Sequence, residues 1–272
     1  MAFVENQGAR IYWDEHGTGA PLLLIMGLGW PSYAWYRTRP ILNARFRTIA
    51  FDNRGVGQSD APRGPYSIAQ MASDAAAVLA AAKVNTAHIF GVSMGGMIAQ
   101  EFALQYPSKV RSLILGCTAA GGPEAVRADQ AALQVLMTRS QNPDDFAKAI
   151  SPFIYHRETS PKRIEEDTEV RRKWYPTADA YFAQLQAILA WEAYSRIAQI
   201  AAPTLVIHGQ NDQLVPAENG KMIAARIPGA KLVLLPNASH IFVTDQTEAA
   251  HAAILEFLGA QATRQRERLA PV

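Results

Sequence analysis

Short apolar runs alternate with segments of helical periodicity along most of the chain. Residues 2–6 and 10–15 read as two strands joined at the turn pair Gln7-Gly8. Residues 21–26, 46–52, 87–92, 110–117, 203–209 and 231–235 are apolar without strict alternation. That is the pattern of strands covered on both faces of a parallel sheet. Between them, residues 67–82, 94–106, 217–227 and 244–258 repeat apolar side chains at helical spacing. In the last of these, Ala250, Ala253, Ile254 and Phe257 form the stripe expected to face the sheet. The order predicts an α/β fold: a mostly parallel, eight-stranded sheet with helices on both faces and right-handed crossovers.

The alternation stops between Gly121 and Ala198. This stretch is helical in pattern and carries Pro143, Pro152, Pro161 and Pro176. Charged clusters lie between aromatics such as Phe146, Tyr155, Tyr181 and Trp191. It is too long for one loop of a compact domain. A helical cap over the carboxyl edge of the sheet, where open α/β sheets bind ligands, is therefore expected. The division is a core of residues 1–120 and 199–259, a cap of 121–198, and a flexible Arg-rich tail of 260–272. With 272 residues the chain is near the upper size for a single hydrophobic core.

Composition narrows the partners. With 49% apolar and 18% charged residues the chain can bury a core. Its apolar runs are far too short to span a membrane, and no secretory leader pattern opens it. The single cysteine, Cys117, allows no internal disulfide and reads as a buried structural thiol. A cytoplasmic protein without membrane partners is the expectation, and its oligomeric state is not legible. The formal charge of +2 is accounted for by the tail, where Arg264, Arg266 and Arg268 face Glu267. The remaining chain is neutral and has no field to hold a polyanion, so nucleic acid is not an expected partner. No metal-ligand spacing or phosphate loop occurs, and a dinucleotide fingerprint started by Gly27 and Gly29 fails at Ser32. Neither metal nor cofactor is expected.

The sharpest chemical signal is Gly91-Val92-Ser93-Met94-Gly95-Gly96, with a strand before it and a helix after it. A serine on so tight a turn projects its hydroxyl clear of the sheet, and the flanking glycines remove side chains that would collide. A hydroxyl needs a base. Of six histidines, His240 alone follows the final strand in a loop. His16, His88, His156, His208 and His251 read as structural. The orienting acid should follow a strand between serine and histidine, which selects Asp212, with Glu124 second. Asp52 and Asp60 read as turn and loop anchors partnered by Arg54. For the oxyanion, the backbone N–H of Met94 is one donor, and the loop Met26-Gly27-Leu28-Gly29 should supply another.

At these motifs, together with Phe51-Asp52-Asn53-Arg54-Gly55-Val56-Gly57-Gln58-Ser59-Asp60 and Gly209-Gln210-Asn211-Asp212, the sequence resembles the α/β-hydrolase superfamily. Within it the chain is most similar to the small bacterial carboxylesterase branch that includes 3-oxoadipate enol-lactonases. The resemblance implies the α/β-hydrolase fold with a helical cap and a catalytic set of Ser93, Asp212 and His240. It also implies Leu28 and Met94 as backbone oxyanion donors. The family usually has histidine before the loop glycine, where this chain has Met26. The backbone donor survives that change, but the hydrogen bonding that histidine gives the loop does not. The implied chemistry is hydrolysis of a small or medium ester or lactone through an acyl-enzyme, with no cofactor. Trp30, Trp35 and Trp191 are candidate walls of its pocket. The same set serves carbon–carbon bond hydrolysis, cofactor-free perhydrolysis and amide cleavage, and a ligand sensor with slow turnover is a different class built on the same residues. Dehalogenases and epoxide hydrolases of this fold carry aspartate at the elbow, so Ser93 argues against both.

Overall fold

A computed structural model describes residues 2–269, with side chains described as far as Gln261. The continuous apolar runs form the strands β3 (Ala20–Ile25), β4 (Phe46–Phe51), β5 (Ala87–Val92), β6 (Val110–Gly116), β7 (Thr204–Gly209) and β8 (Lys231–Leu235). They follow β1 (Ala2–Asn6) and β2 (Ala9–His16), and the eight make one sheet in the order β1-β2-β4-β3-β5-β6-β7-β8. Both pairings of β2, with β1 and with β4, are antiparallel, and the rest of the sheet is parallel.

Strand periodicity sorts the core into two layers. On β3, Leu23 and Ile25 face one layer, while Leu22 and Leu24 face the other; all four are fully buried. Each such side chain contributes roughly 1.5–3 kcal/mol. The first layer is closed by α2 (Ile68–Ala81) and α3 (Met94–Gln105) through Met71, Val78, Ile98 and Phe102. On the opposite face, α1 (Arg39–Leu42) contributes Leu42, and Ile254 and Phe257 come from the C-terminal helix. The sequence stripe at Ala250, Ile254 and Phe257 is buried there, as its spacing predicts.

Between β6 and β7 lie four further helices: α4 (Gln130–Met137), α5 (Pro143–Ile154), α6 (Pro161–Lys173) and α7 (Ala178–Ala190). Pro143 and Pro161 occupy first-turn positions, where a missing N–H costs nothing, and Asn142 caps α5 by accepting from the N–H groups of Asp144 and Asp145. Phe146, Ile150, Ile154, Tyr181 and Leu185 give this layer a core of its own.

After β7 comes α8 (Ala217–Arg226). The stretch 244–258, read as one helix in sequence, belongs instead to α9 (Phe242–Asp245) and α10 (Thr247–Leu269). Gln246, non-helical at φ −129° and ψ 60°, separates them. The tail expectation for residues 260–272 falls mostly on side chains outside the described residues; the backbone remains helical to Leu269. Among the described residues, no helix is long and apolar enough to cross a membrane.

Candidate active site

The loops after β3, β5, β7 and β8 open at one edge of the sheet, the carboxyl ends of its parallel strands. Ser93 follows β5 near the centre and adopts φ 55°, ψ −125°, a conformation that costs a non-glycine residue on the order of 1–3 kcal/mol. Its neighbours hold it there. The Ser93 N–H donates to the Gly116 carbonyl (2.9 Å), and the Thr118 hydroxyl donates to the Ser93 carbonyl (2.8 Å). The flanking glycines are required by close approach: a Cβ at Gly91 would lie 2.1 Å from the Gly95 carbonyl oxygen, and one at Gly95 2.1 Å from that of Ile25. Met94 opens α3, so its N–H has no intrahelical acceptor and sits at the positive end of the helix.

His240 lies in the loop after β8, and its Nδ1 is 2.8 Å from Asp212 Oδ2. A carboxylate only accepts, so Nδ1 carries the proton and Nε2 keeps a lone pair in the neutral ring. Asp212 is itself clamped: its Oδ1 accepts from the N–H groups of Leu214 (2.9 Å) and Val215 (2.8 Å). Burial alone would raise the Asp212 carboxyl, but the charges and hydrogen bonds of His240 and His208 outweigh it and hold the group below its ordinary value. Ser93 and His240 line one cavity. Among the described residues no hydrogen bond yet joins Ser93 Oγ to the imidazole, a contact that often closes only on substrate.

His208, read in sequence as structural, is fully buried on β7 with Nε2 3.3 Å from Asp212 Oδ2 and 2.7 Å from the Val215 carbonyl. It braces the acid from beneath, and its spacing four residues before Asp212, at a strand end, was the available signal. The other histidines lie elsewhere. His88 bonds Ser112, His251 bonds Thr38 and Thr247, His16 is exposed beside Asp14, and the His156 backbone N–H, just past α5, donates to Asp245 Oδ2. Glu124, the second-choice acid, is exposed.

The oxyanion-side loop is anchored without a histidine. Asn53 Nδ2 donates to the Met26 carbonyl (2.9 Å), and the Gly29 N–H donates to Gln184 Oε1 (2.9 Å). Gln184, fully buried on α7, also donates to the Arg54 carbonyl (2.8 Å), so one cap side chain ties two core loops. Asp52 accepts from the N–H groups of Ser32 and Gln58, as an anchor should. Arg54, however, is not the partner of Asp52 or Asp60. It forms a two-pronged buried ion pair with Asp74 on α2, both bonds 2.7 Å, while Asp60 pairs with Arg10. Asp74's place on a helical stripe concealed that pairing.

Gly27, Leu28, Trp30, Trp35 and Cys117 also line the cavity, closed from the cap side by Leu136, Phe146 and Ile150. The cavity has a volume of about 100 Å³. Trp191 is not on this wall. It is buried against α3, where its indole N–H donates to Glu101 Oε2 (2.9 Å). An aromatic in the cap sequence does not reveal which side of the cap it faces. Cys117 is buried, and desolvation raises its thiol pKa well above the usual value, consistent with an inert thiol. Among the described residues no group of three His, Cys, Asp or Glu side chains could hold a metal ion.

The family model described as alpha/beta hydrolase fold matches residues 20–246. The chain is 31% identical over 264 residues to a provisionally named carbamate hydrolase, RutD, of Azorhizobium caulinodans, covering 95% of this chain and 98% of that protein. It is 32% identical over 254 residues to the poly(3-hydroxyalkanoate) depolymerase of Ectopseudomonas oleovorans, covering 92% and 88%. Among solved structures, the enol-lactonase from Burkholderia xenovorans LB400 superposes with a TM-score of 0.85 at 25% identity, covering 95% of this chain and all of that one.

Proposed function

We propose that this chain, which belongs to the α/β-hydrolase family, is a serine hydrolase of small or medium carboxylic esters or lactones. The observation that carries the reading is the 2.8 Å bond between His240 Nδ1 and Asp212 Oδ2, behind an imidazole that shares a cavity with the elbow serine. Ser93 Oγ attacks the carbonyl carbon while His240 Nε2 takes the hydroxyl proton. The carbonyl π electrons move to oxygen, and that oxyanion accepts from the N–H groups of Leu28 and Met94. Collapse expels the alkoxide, which takes the proton from His240 and leaves the acyl group on Ser93. Water, deprotonated by the same ring, then attacks the acyl carbon; the bond to Ser93 Oγ breaks, that oxygen takes the proton back from His240, and the acid leaves. Asp212 stabilises the imidazolium in both halves. A carbamate presents the same carbonyl to the same groups, and the likeness to RutD makes carbamates the second class to assay.

The test is a p-nitrophenyl ester and lactone series combined with a serine-reactive phosphonate. Turnover and stoichiometric labelling are expected. Ser93→Ala should abolish labelling and lower kcat on the order of 10³-fold or more. Activity of that variant within tenfold of the parent overturns the nucleophile. Labelling without turnover of any substrate supports a sensor instead.

A further inference from the structure

Helix α5 ends against the loop that carries His240. The last carbonyls of a helix have no partner within it, and two of those of α5 are taken up by the neighbours of the imidazole. The Ile154 carbonyl accepts from the Ile241 N–H (2.9 Å), and the Phe153 carbonyl lies 3.2 Å from the Ser239 hydroxyl. That hydroxyl is equally 3.2 Å from the carbonyl of Asn211, the residue before Asp212, so its one proton is shared between the cap and the loop of the acid. Asp245 completes the arrangement. Its Oδ2 accepts from the Ser239 N–H (2.7 Å) and the His156 N–H (3.2 Å), and its Oδ1 accepts from the Thr159 hydroxyl (2.5 Å). His156 and Thr159 belong to the turn between α5 and α6, so one carboxylate joins the His240 loop to the cap. Desolvation raises the Asp245 carboxyl above its ordinary value against those three hydrogen bonds. The fold therefore keeps Asp245 for where its oxygens sit rather than for its charge.

We propose that Asp245 is a positioning residue for His240, and that the cap, through the end of α5 and the turn at 156–159, holds the general base in place. The proposal rests on the hydrolase reading and gives the cap a role besides walling the cavity. Asp212 fixes the imidazole at Nδ1 alone. The bonds made by Ser239 and Ile241 fix the backbone on either side of the ring, and with it the place where Nε2 meets Ser93. A misplacement of about 1 Å at a reacting group costs on the order of 10²-fold in rate. Asp245, His156 and Thr159 are not on the cavity wall, so their effect on turnover runs through the loop and not through substrate contact.

The experiment measures p-nitrophenyl butyrate kinetics of the full chain, with active sites counted by phosphonate titration to completion and the melting temperature as a folding control. Asp245→Ala should lower kcat per titrated site at least about tenfold, with KM within about threefold of the parent. Asp245→Asn should recover most of that loss. Its carbonyl oxygen can serve both N–H groups, and its amide can donate to the Thr159 hydroxyl, which accepts as readily as it donates. Thr159→Val, which alters the cap alone, should lower kcat about threefold or more without moving KM. Fewer titratable sites at an unchanged kcat per site is the mark of a merely structural residue and overturns the proposal. So does an Asp245→Asn enzyme as slow as Asp245→Ala, or Thr159→Val with parent kinetics. In parallel, amide hydrogen exchange of residues 238–242 should speed up in Asp245→Ala and stay slow in Asp245→Asn; unchanged exchange in the alanine variant overturns the proposal whatever the kinetics. A parent that neither turns over an ester nor takes the phosphonate sinks the hydrolase reading instead, and the exchange comparison then still decides whether Asp245 holds the loop.

Discussion

Replacing Asp212 with asparagine isolates what its charge does. Four donors converge on the carboxylate: the N–H groups of Leu214 and Val215, His240 Nδ1 and His208 Nε2. Alanine would strand the first three in a buried site at about 1–3 kcal/mol each, a large share of the whole stability of a domain, and would report folding rather than catalysis; His208 Nε2 would keep the Val215 carbonyl at 2.7 Å. Asparagine keeps the shape, and its carbonyl oxygen can still serve Leu214 and Val215. Its amide then presents N–H where His240 also presents N–H. The ring relieves the clash by moving its proton to Nε2, the atom that has to accept from Ser93. Loss of kcat on the order of 10⁴-fold is expected, equivalent to about 5 kcal/mol of barrier. Phosphonate labelling should slow in parallel, since it needs the same base. The assay is kcat on p-nitrophenyl butyrate with the melting temperature as a folding control. A folded Asp212→Asn enzyme within tenfold of the parent would refute the tautomer argument.

Two further outcomes follow from buried polar groups outside the proposed catalytic set. Desolvation, helped by Arg111, pushes His88 down to about 4 in the folded chain, against an unfolded value near 6.5. Between those values the unfolded state holds more protons, so stability falls as the pH drops from 6.5 towards 4. His88→Gln should therefore remove up to roughly 3 kcal/mol of that acid loss, read as a parent-minus-variant difference in urea unfolding at pH 7 and pH 4; a difference that does not change with pH contradicts the assignment. Gln184→Ala frees the Gly29 N–H and the Arg54 carbonyl, and should reduce kcat/KM about tenfold while costing about 1–3 kcal/mol of stability. Parent-like ester kinetics in that variant would show that the oxyanion-side loop does not depend on it.

The parts of the molecule legible in sequence are those written in local pattern. The strand at Ala87–Val92 is apolar because both its faces are covered, and the elbow at Ser93 announces itself by glycines within two residues on either side. His240 and Asp212 are reachable because chain order and strand ends restrict the candidates. What escaped depends on distant pairing. Gln184 meets Gly29 across 155 positions, and Arg54 finds Asp74 rather than an aspartate of its own loop. Trp191 shows the same limit, since helical spacing places an aromatic on a face without saying whether substrate or Glu101 lies opposite. The break at Gln246 was hidden because apolar periodicity runs through it, while the carboxylate of Asp245 is turned back to the N–H of Ser239, the residue before His240.

The double role of Gln184 also bears on engineering. Exchanging residues 121–198 for the corresponding segment of a relative is the obvious route to a new selectivity, because that segment supplies Leu136, Phe146, Ile150, Ile154 and Tyr181 to the cavity wall. The exchange would also cut a suture whose two stitches end on loops of the recipient. A chimera therefore inherits a working oxyanion cradle only if the incoming helix brings an amide of equal reach to that position, and libraries built on this scaffold should hold it constant while every other wall is varied.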